Sequence, residues 1–258
     1  MLIAGSDTSD NNGAVLRCAI NNDLTVAANW TIYKTGLPAG EADSVSYAGG
    51  SVFILSVGSD LYASSNNGQT WSLVLDVSPS SVGLVAGDPI TTTGWCTGGF
   101  IGYNASPATG TYSNLGSVGL LAGAARFGNG RLLVTESTAT SPEFRYSDDQ
   151  GSTFSSAIAI GVNKNFDDLA WVTGDTWIAA TGDNFVARTT NVTTASSWSL
   201  SASTGTQNLF GIDTDGVVCV AVGSQGVFTV STDAGVTWTT EATAVSGKII
   251  QFTAVRKF

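Results

Sequence analysis

A chain of 258 residues in which 43% are hydrophobic and only 12% charged can bury a large core and lacks the charge density of a disordered polymer. Ten Lys and Arg against twenty Asp and Glu leave a net charge of −10, which repels phosphate backbones and excludes nucleic acid as an expected partner. Histidine is absent, which excludes His-based catalytic triads and the commonest zinc ligand.

In chain order, Met1-Leu2-Ile3-Ala4-Gly5-Ser6-Asp7 has no basic region and no long apolar run, so no signal peptide is read there. Residues 1–6 read as the second strand of a four-stranded unit, 14–20 as the third and 29–35 as the fourth, so this first unit lacks an inner strand. The second unit supplies all four strands, at 43–48, 52–57, 61–64 and 70–75, with turns at Ala48-Gly49-Gly50 and Gly58-Ser59-Asp60. The third is the most degenerate. In the sixth the strands fall at 209–213, 217–222, 227–231 and 237–241, and 217–222 is the longest purely apolar run of the chain, far too short to span a bilayer. Residues 248–255 form a strand left over after the sixth unit. They are expected to supply the missing inner strand of the first, closing the ring and removing two exposed sheet edges. No stretch has helical period.

A turn pattern punctuates the units. Ser64-Ser65-Asn66-Asn67-Gly68-Gln69-Thr70-Trp71 recurs as Ser147-Asp148-Asp149-Gln150-Gly151-Ser152-Thr153-Phe154 and as Ser231-Thr232-Asp233-Ala234-Gly235-Val236-Thr237-Trp238, giving S-x-[DN]-x-G-x-T-[WF]. The Asp or Asn is expected to accept backbone N–H groups two residues on, Gly to supply a turn geometry other residues resist, and the aromatic to bury a flat surface beside the turn. Asn66, Gly68, Trp71, Asp149, Gly151, Phe154, Asp233, Gly235 and Trp238 are therefore read as a structural clasp. Residues 23–31 and 191–199 share a longer variant ending on Trp30 and Trp198, and 104–113 keep only a Gly-Thr-Tyr ending at Tyr112. The six clasp aromatics are 41, 41, 42, 44 and 40 residues apart, with 50 across the chain ends, the period of a four-stranded propeller blade. Full clasps in the second, fourth and sixth units against the longer variant in the first and fifth suggest a pseudo-threefold duplication. The expected architecture is a single all-β domain over 1–258, a six-bladed β-propeller of four-stranded antiparallel blades closed by the C-terminal strand.

The S-x-[DN]-x-G-x-T-[WF] clasps resemble the Asp box of BNR-repeat, sialidase-like β-propellers, where it joins the third and fourth strands of a blade at the rim. The resemblance implies architecture more than activity. Sialidases resembling this fold need three arginines converging on a carboxylate, a tyrosine–glutamate nucleophile pair, an aspartate acid and an F-R-I-P stretch, and that stretch is missing here. Arg17, Arg145 and Arg188 occupy equivalent third-strand places that cannot meet, which leaves Arg126, Arg131 and Arg256, the first two in one unit.

Asp148-Asp149, Asp167-Asp168 and Asp213 with Asp215 are pairs of the kind glycoside hydrolysis uses when two carboxylates flank a pocket. The first belongs to a clasp and the last flanks a hairpin turn. Asp167 and Asp168 begin an inner strand near a channel mouth, where a solvated or calcium-touching face competes with a ligand site. Trp171 and Trp177 bracket the turn at 172–176 and offer a sugar-stacking face if both stand on one side; burial of one is the competing reading. Cys18, Cys96 and Cys219 are odd in number and lie in different units, so free buried thiols are expected.

The chain is thus expected to be a non-enzymatic structural or interaction propeller without cofactor or metal. Its Gly, Ser, Thr, Ala and Asn composition is similar to that of bacteriophage structural proteins, which implies a tail, fibre-associated or capsid-surface component made in the host cytoplasm. Other virion proteins or a host-surface glycan would be its partners, in an oligomeric assembly without membrane insertion. A glycan-binding propeller lectin is the alternative and a sialidase-type glycoside hydrolase the weakest reading. Contacts are sought in the insertions at 7–13, 137–142 and 157–165, because loops carry function on rigid scaffolds.

Overall fold

The computed structural model describes residues 2–7, 12–18, 27–40, 42–76, 82–88, 93–98, 101–104, 106–107, 112–114, 122–136, 142–201, 205, 207–241 and 252–254. Two compact units, Met1–Gly119 and Leu120–Phe258, are each taken by themselves.

In the first unit β1 (Leu2–Asp7), β2 (Asn12–Cys18) and β3 (Trp30–Tyr33) pair antiparallel in that order. Two four-stranded antiparallel sheets follow, β4 (Ala42–Tyr47), β5 (Phe53–Val57), β6 (Asp60–Ser64), β7 (Ser72–Asp76), then β8 (Val82–Asp88), β9 (Thr93–Gly98), β10 (Ile101–Asn104), β11 (Ser113–Asn114). Apolar side chains on both faces of the central strands drive this packing: Phe53, Ile54, Leu55 and Val57 of β5 are all buried. On the inner strands, serines replace aliphatics and hold the neighbouring sheet, Ser44 Oγ accepting Val85 N–H at 3.3 Å and Ser46 Oγ accepting Gly87 N–H at 3.0 Å.

The second unit has three such sheets: β12 (Ala122–Gly128), β13 (Arg131–Glu136), β14 (Glu143–Ser147), β15 (Ile158–Ala159); β16 (Phe166–Thr173), β17 (Thr176–Thr181), β18 (Val186–Thr189), β19 (Ser199–Leu200); and β20 (Leu209–Thr214), β21 (Cys219–Gly223), β22 (Phe228–Ser231), β23 (Thr239–Glu241). The inner strands β12, β16 and β20 lie side by side. Between the last two sheets the core is Ala170, Val172, Ile178, Ala180, Leu209, Ile212 and Ala221, with Trp238 against it. β24 (Phe252–Ala254) lies along β20 and β21, as β20 lies along β16 and β17, which is the place of an inner strand.

Of the C-terminal run expected to close a ring, 248–251 and 255 lie outside the described residues. Five four-stranded antiparallel sheets, β4–β7, β8–β11, β12–β15, β16–β19 and β20–β23, each lie within one unit, beside the three strands β1–β3.

Two sequence readings need correction. The run 217–222 is not all strand: Asp215 Oδ1 accepts the N–H groups of Val217 and Val218 at 2.9 and 2.8 Å, holding both in the turn, so β21 starts at Cys219. The expected loop 157–165 contains the short outer strand β15 and the fully buried Ile160. Most of the other two insertions, 8–11 and 137–141, lies outside the described residues. Cys18 and Cys219 are buried and form no disulfide, while the side chain of Cys96 lies outside the described residues. Among the described residues no helix is long and apolar enough to cross a membrane.

Candidate functional site

The clasps are built on a serine hydroxyl. In the fourth sheet Ser147 Oγ accepts Asp149 N–H at 3.3 Å and Gly151 N–H at 2.7 Å and donates to Asp149 Oδ1 at 2.7 Å. Asp149 then accepts Thr153 N–H at 2.8 Å and Thr153 Oγ1–H at 2.6 Å. Ser231, Asp233, Gly235 and Thr237 repeat this bond for bond in the sixth sheet. Ser64, Asn66, Gly68 and Thr70 repeat it in the second, except that the Asn66 amide donates to Thr70 Oγ1 at 2.8 Å. In all three the acidic or amide side chain reaches the N–H four residues on, not two, because the serine has already taken the intervening glycine's. The repeated serine and threonine were the signal for this, and the hydroxyl role was the part not read from them.

The clasp glycines do two jobs. Gly68 and Gly235 adopt φ of 79° and 80°, and a Cβ on either would lie 2.7 Å from Leu2 Cδ1 or Ile178 Cγ2 of the preceding sheet. Of the aromatics, Trp71, Tyr112 and Trp198 are buried and Trp30, Phe154 and Trp238 half-buried; Trp198 packs edge-on to Phe166 at 4.7 Å. In the fifth sheet Thr189 Oγ1 takes the serine's place, accepting Asn191 N–H at 3.0 Å, so the longer variant keeps the principle with one more carbon. Its counterpart at 19–26 lies outside the described residues.

Hydrogen bonds to the ionised form hold Asp149 and Asp233 down at about 2, the threonine hydroxyl contributing most. Asp233→Ala should therefore free Thr237 N–H, which Oδ1 accepts at 2.8 Å, and raise its hydrogen-exchange rate at least about tenfold, while Val236 N–H keeps the backbone carbonyl of residue 233 at 3.4 Å. Unchanged exchange at Thr237 would show that the backbone holds this turn unaided.

The acidic pairs are drawn into different structures. Asp148 is exposed and receives Arg131 in a bidentate ion pair at 2.7 and 3.1 Å; Arg131 also stacks on Tyr146 and reaches Asp175 of the next sheet at 3.5 Å. Asp215 is turn chemistry, as expected. Asp213 is not: together with Asp168 it faces Arg126, at 3.8 and 3.6 Å, in a buried cluster that spans the three inner strands of the second unit. Arg126 Nε donates to Leu169 O at 2.6 Å and Nη2 to Ile212 O at 3.2 Å, while Asp168 accepts Ile212 N–H and Leu169 N–H at 3.0 and 2.8 Å. Burial pushes Asp168 up to about 7 against the pull of Arg126. Charged residues in strands otherwise apolar, about one repeat apart, were the available signal.

Asp167 points away from that cluster. Burial, with the Asp183 charge adding, raises it to about 6; Asp183 is itself paired with Lys164. Asp167 is the extra residue of the bulge between Phe166 and Asp168 and lies near Asp183, so the two do not act as one pair. Among the described residues no group of three or more acidic or cysteine side chains is placed to hold a metal. Trp171 and Trp177 are cross-strand partners, but Trp177 is 0% exposed and is a core side chain, which removes it as a ligand platform. Trp171 is half-buried over Gly128, with Nε1 donating to Gly174 O at 2.8 Å.

No protein-family model and no curated protein sequence matches the chain. Solved structures do. A chain of a nidogen/laminin complex superposes with TM-score 0.75 at 12% identity, covering 98% of this chain and 97% of that one. YCF48 bound to a D1 peptide gives 0.59 at 12% identity over 93% and 81%, and a GH74 enzyme of Niastella koreensis gives 0.58 at 16% over 94% and 38%. At these identities the likeness shows the fold alone, antiparallel four-stranded sheets arranged as a β-propeller.

Proposed function

We propose that the chain is a non-enzymatic interaction protein, a component of a bacteriophage particle that docks other virion proteins or a host surface. The observation that carries this reading is a set of exposed aliphatic side chains, Ile32, Leu73 and Leu200, each two residues past a clasp aromatic on the outermost strand of its sheet. Such side chains add nothing to the core, and a partner that covers them gains their burial at about 25 cal/mol per Å². Of the paired carboxylates, Asp148 is engaged by Arg131, Asp149 by its clasp, Asp168 and Asp213 by Arg126 and Asp215 by its turn, which leaves Asp167 apart from its sequence neighbour.

Nidogen/laminin and YCF48 with a D1 peptide are propeller-like neighbours solved in complexes with a partner, which supports the same use of the fold by analogy. Composition supplies the particle. An antiserum against the chain should label purified particles of the phage encoding it in immunogold electron microscopy. Label confined to infected-cell lysate would remove the virion role. Glycan-array binding lost in Trp171→Ala would replace docking by the lectin reading, and hydrolysis of a chromogenic glycoside by pure protein would overturn both.

A further inference from the structure

In the second sheet the clasp is tied to the turn between the first two strands by Asn67 N–H donating to Ser51 O at 3.0 Å; in the sixth, Ala234 N–H donates to Val217 O at the same distance. This bond fixes the equivalence of the two corners. Val217 stands where the second sheet has Ser51, Ala234 where it has Asn67, and Val236, just past the clasp glycine, where it has Gln69. Three polar positions have become aliphatic.

The exchange works against stability. Ala234 keeps φ 60°, like Asn67, a conformation asparagine tolerates and alanine resists. Its side chain packs on the core, but Val217, Val218 and Val236 are 57%, 36% and 58% exposed. Asp215 and Asp233 border them, each carboxylate fixed by backbone N–H groups, Asp215 by those of Val217 and Val218 and Asp233 by those of Val236 and Thr237. The border carries these two carboxylates against the guanidinium of Arg188, whose Nε donates to Ala234 O at 3.2 Å, so an apolar surface with an acidic excess at its edge, on a chain of net charge −10, repels a second copy and complements a basic partner.

We infer that Val217, Val218 and Val236, bordered by Asp215 and Asp233, form a docking patch for a partner protein presenting apolar side chains flanked by Lys or Arg. This rests on the interaction reading above and names the surface and the chemistry of the partner. The probes are two fluorescent hexapeptides, alternating leucine with lysine or leucine with glutamate, titrated by fluorescence polarisation. The lysine peptide should bind, the glutamate peptide should not, and Val217→Ser with Val236→Ser should weaken binding at least tenfold at unchanged melting temperature. Equal binding to the Val217→Ser/Val236→Ser protein, or no binding by the wild type, overturns the patch while particle labelling still decides the interaction reading. Self-association in sedimentation velocity that the double substitution abolishes would assign the patch to a second copy, and also overturns the proposal.

Discussion

Replacing Arg126 with leucine should destabilise the protein by about 3–5 kcal/mol at pH 7, the range for removing one partner of a buried charge group. The loss comes from what remains: Asp168 and Asp213 would keep their carboxylates within the inner strands with no cation, and the carbonyls of Leu169 and Ile212 would lose their donors. Arg126→Lys keeps the charge but cannot fork between two carbonyls, so it should fall between leucine and wild type. Asp168→Asn keeps an acceptor for Ile212 N–H while relieving the excess negative charge, and should lie within about 1 kcal/mol of wild type. Urea unfolding of the three variants checks the order. A loss below about 1 kcal/mol for Arg126→Leu would mean that the cluster is solvated and that its charges are already screened.

The same cluster sets the pH at which the protein is most stable. Asp168 at about 7 and Asp167 at about 6 both lie above the ordinary 3.8, so the folded state binds their protons more tightly than the unfolded chain does. Their penalty is therefore complete above pH 7 and is relieved as pH falls towards 4. Asp149 and Asp233, held at about 2, act in the opposite sense: their stabilisation is present above pH 4 and is lost as pH falls through 2. The urea midpoint should thus be higher at pH 5 than at pH 7, with the downturn confined to below about pH 4, where the unfolded carboxylates take up their protons. In Arg126→Leu the gain between pH 7 and 5 should grow, since the cation that favours the ionised Asp168 is gone. A midpoint that rises steadily from pH 5 to 7 would contradict this account.

What the sequence makes legible follows from the range of the forces involved. The clasps use bonds within eight residues, so their pattern shows directly, and their spacing gives the four-stranded unit. Strand ends drift because bulges insert a residue without changing composition, at Ala42/Ser44, Phe166/Asp168 and Leu209/Gly211, all near the start of an inner strand. Asp213 reads as turn chemistry because Asp215 beside it is turn chemistry, and nothing local separates the two. Arg126 finds its partners 43 and 86 residues on, a distance at which only the repeat itself is informative. Trp171 and Trp177 look alike in the sequence, and the register that opposes them across a hairpin leaves one over Gly128 and the other in the core.

Gly36→Ala should cost about 3 kcal/mol, although residue 36 lies in a surface turn beyond the outer strand β3 and belongs to no clasp. Gly36 has φ 85°, which an L-residue adopts at a cost of about 1–2 kcal/mol. The larger part is steric: a Cβ there would sit 1.9 Å from Trp71 O and 2.9 Å from Trp71 C, and backbone cannot swing aside as a side chain does. Overpacking of this kind adds about 1–3 kcal/mol. The contact exists because Trp71 N–H donates to Thr35 O at 3.0 Å, drawing the end of one sheet onto the clasp aromatic of the next. Gly50→Ala separates the two terms, since Gly50 has φ 59° but nothing within 4 Å of its Cβ, so it should lose only the conformational part. If both variants lose the same stability in urea unfolding, the approach of Gly36 to Trp71 is slack and the bond to Thr35 does not hold the two sheets together. If Gly36→Ala alone falls further, with faster hydrogen exchange at Trp71 N–H, neighbouring sheets are joined by backbone contact at the clasp as well as by side-chain burial.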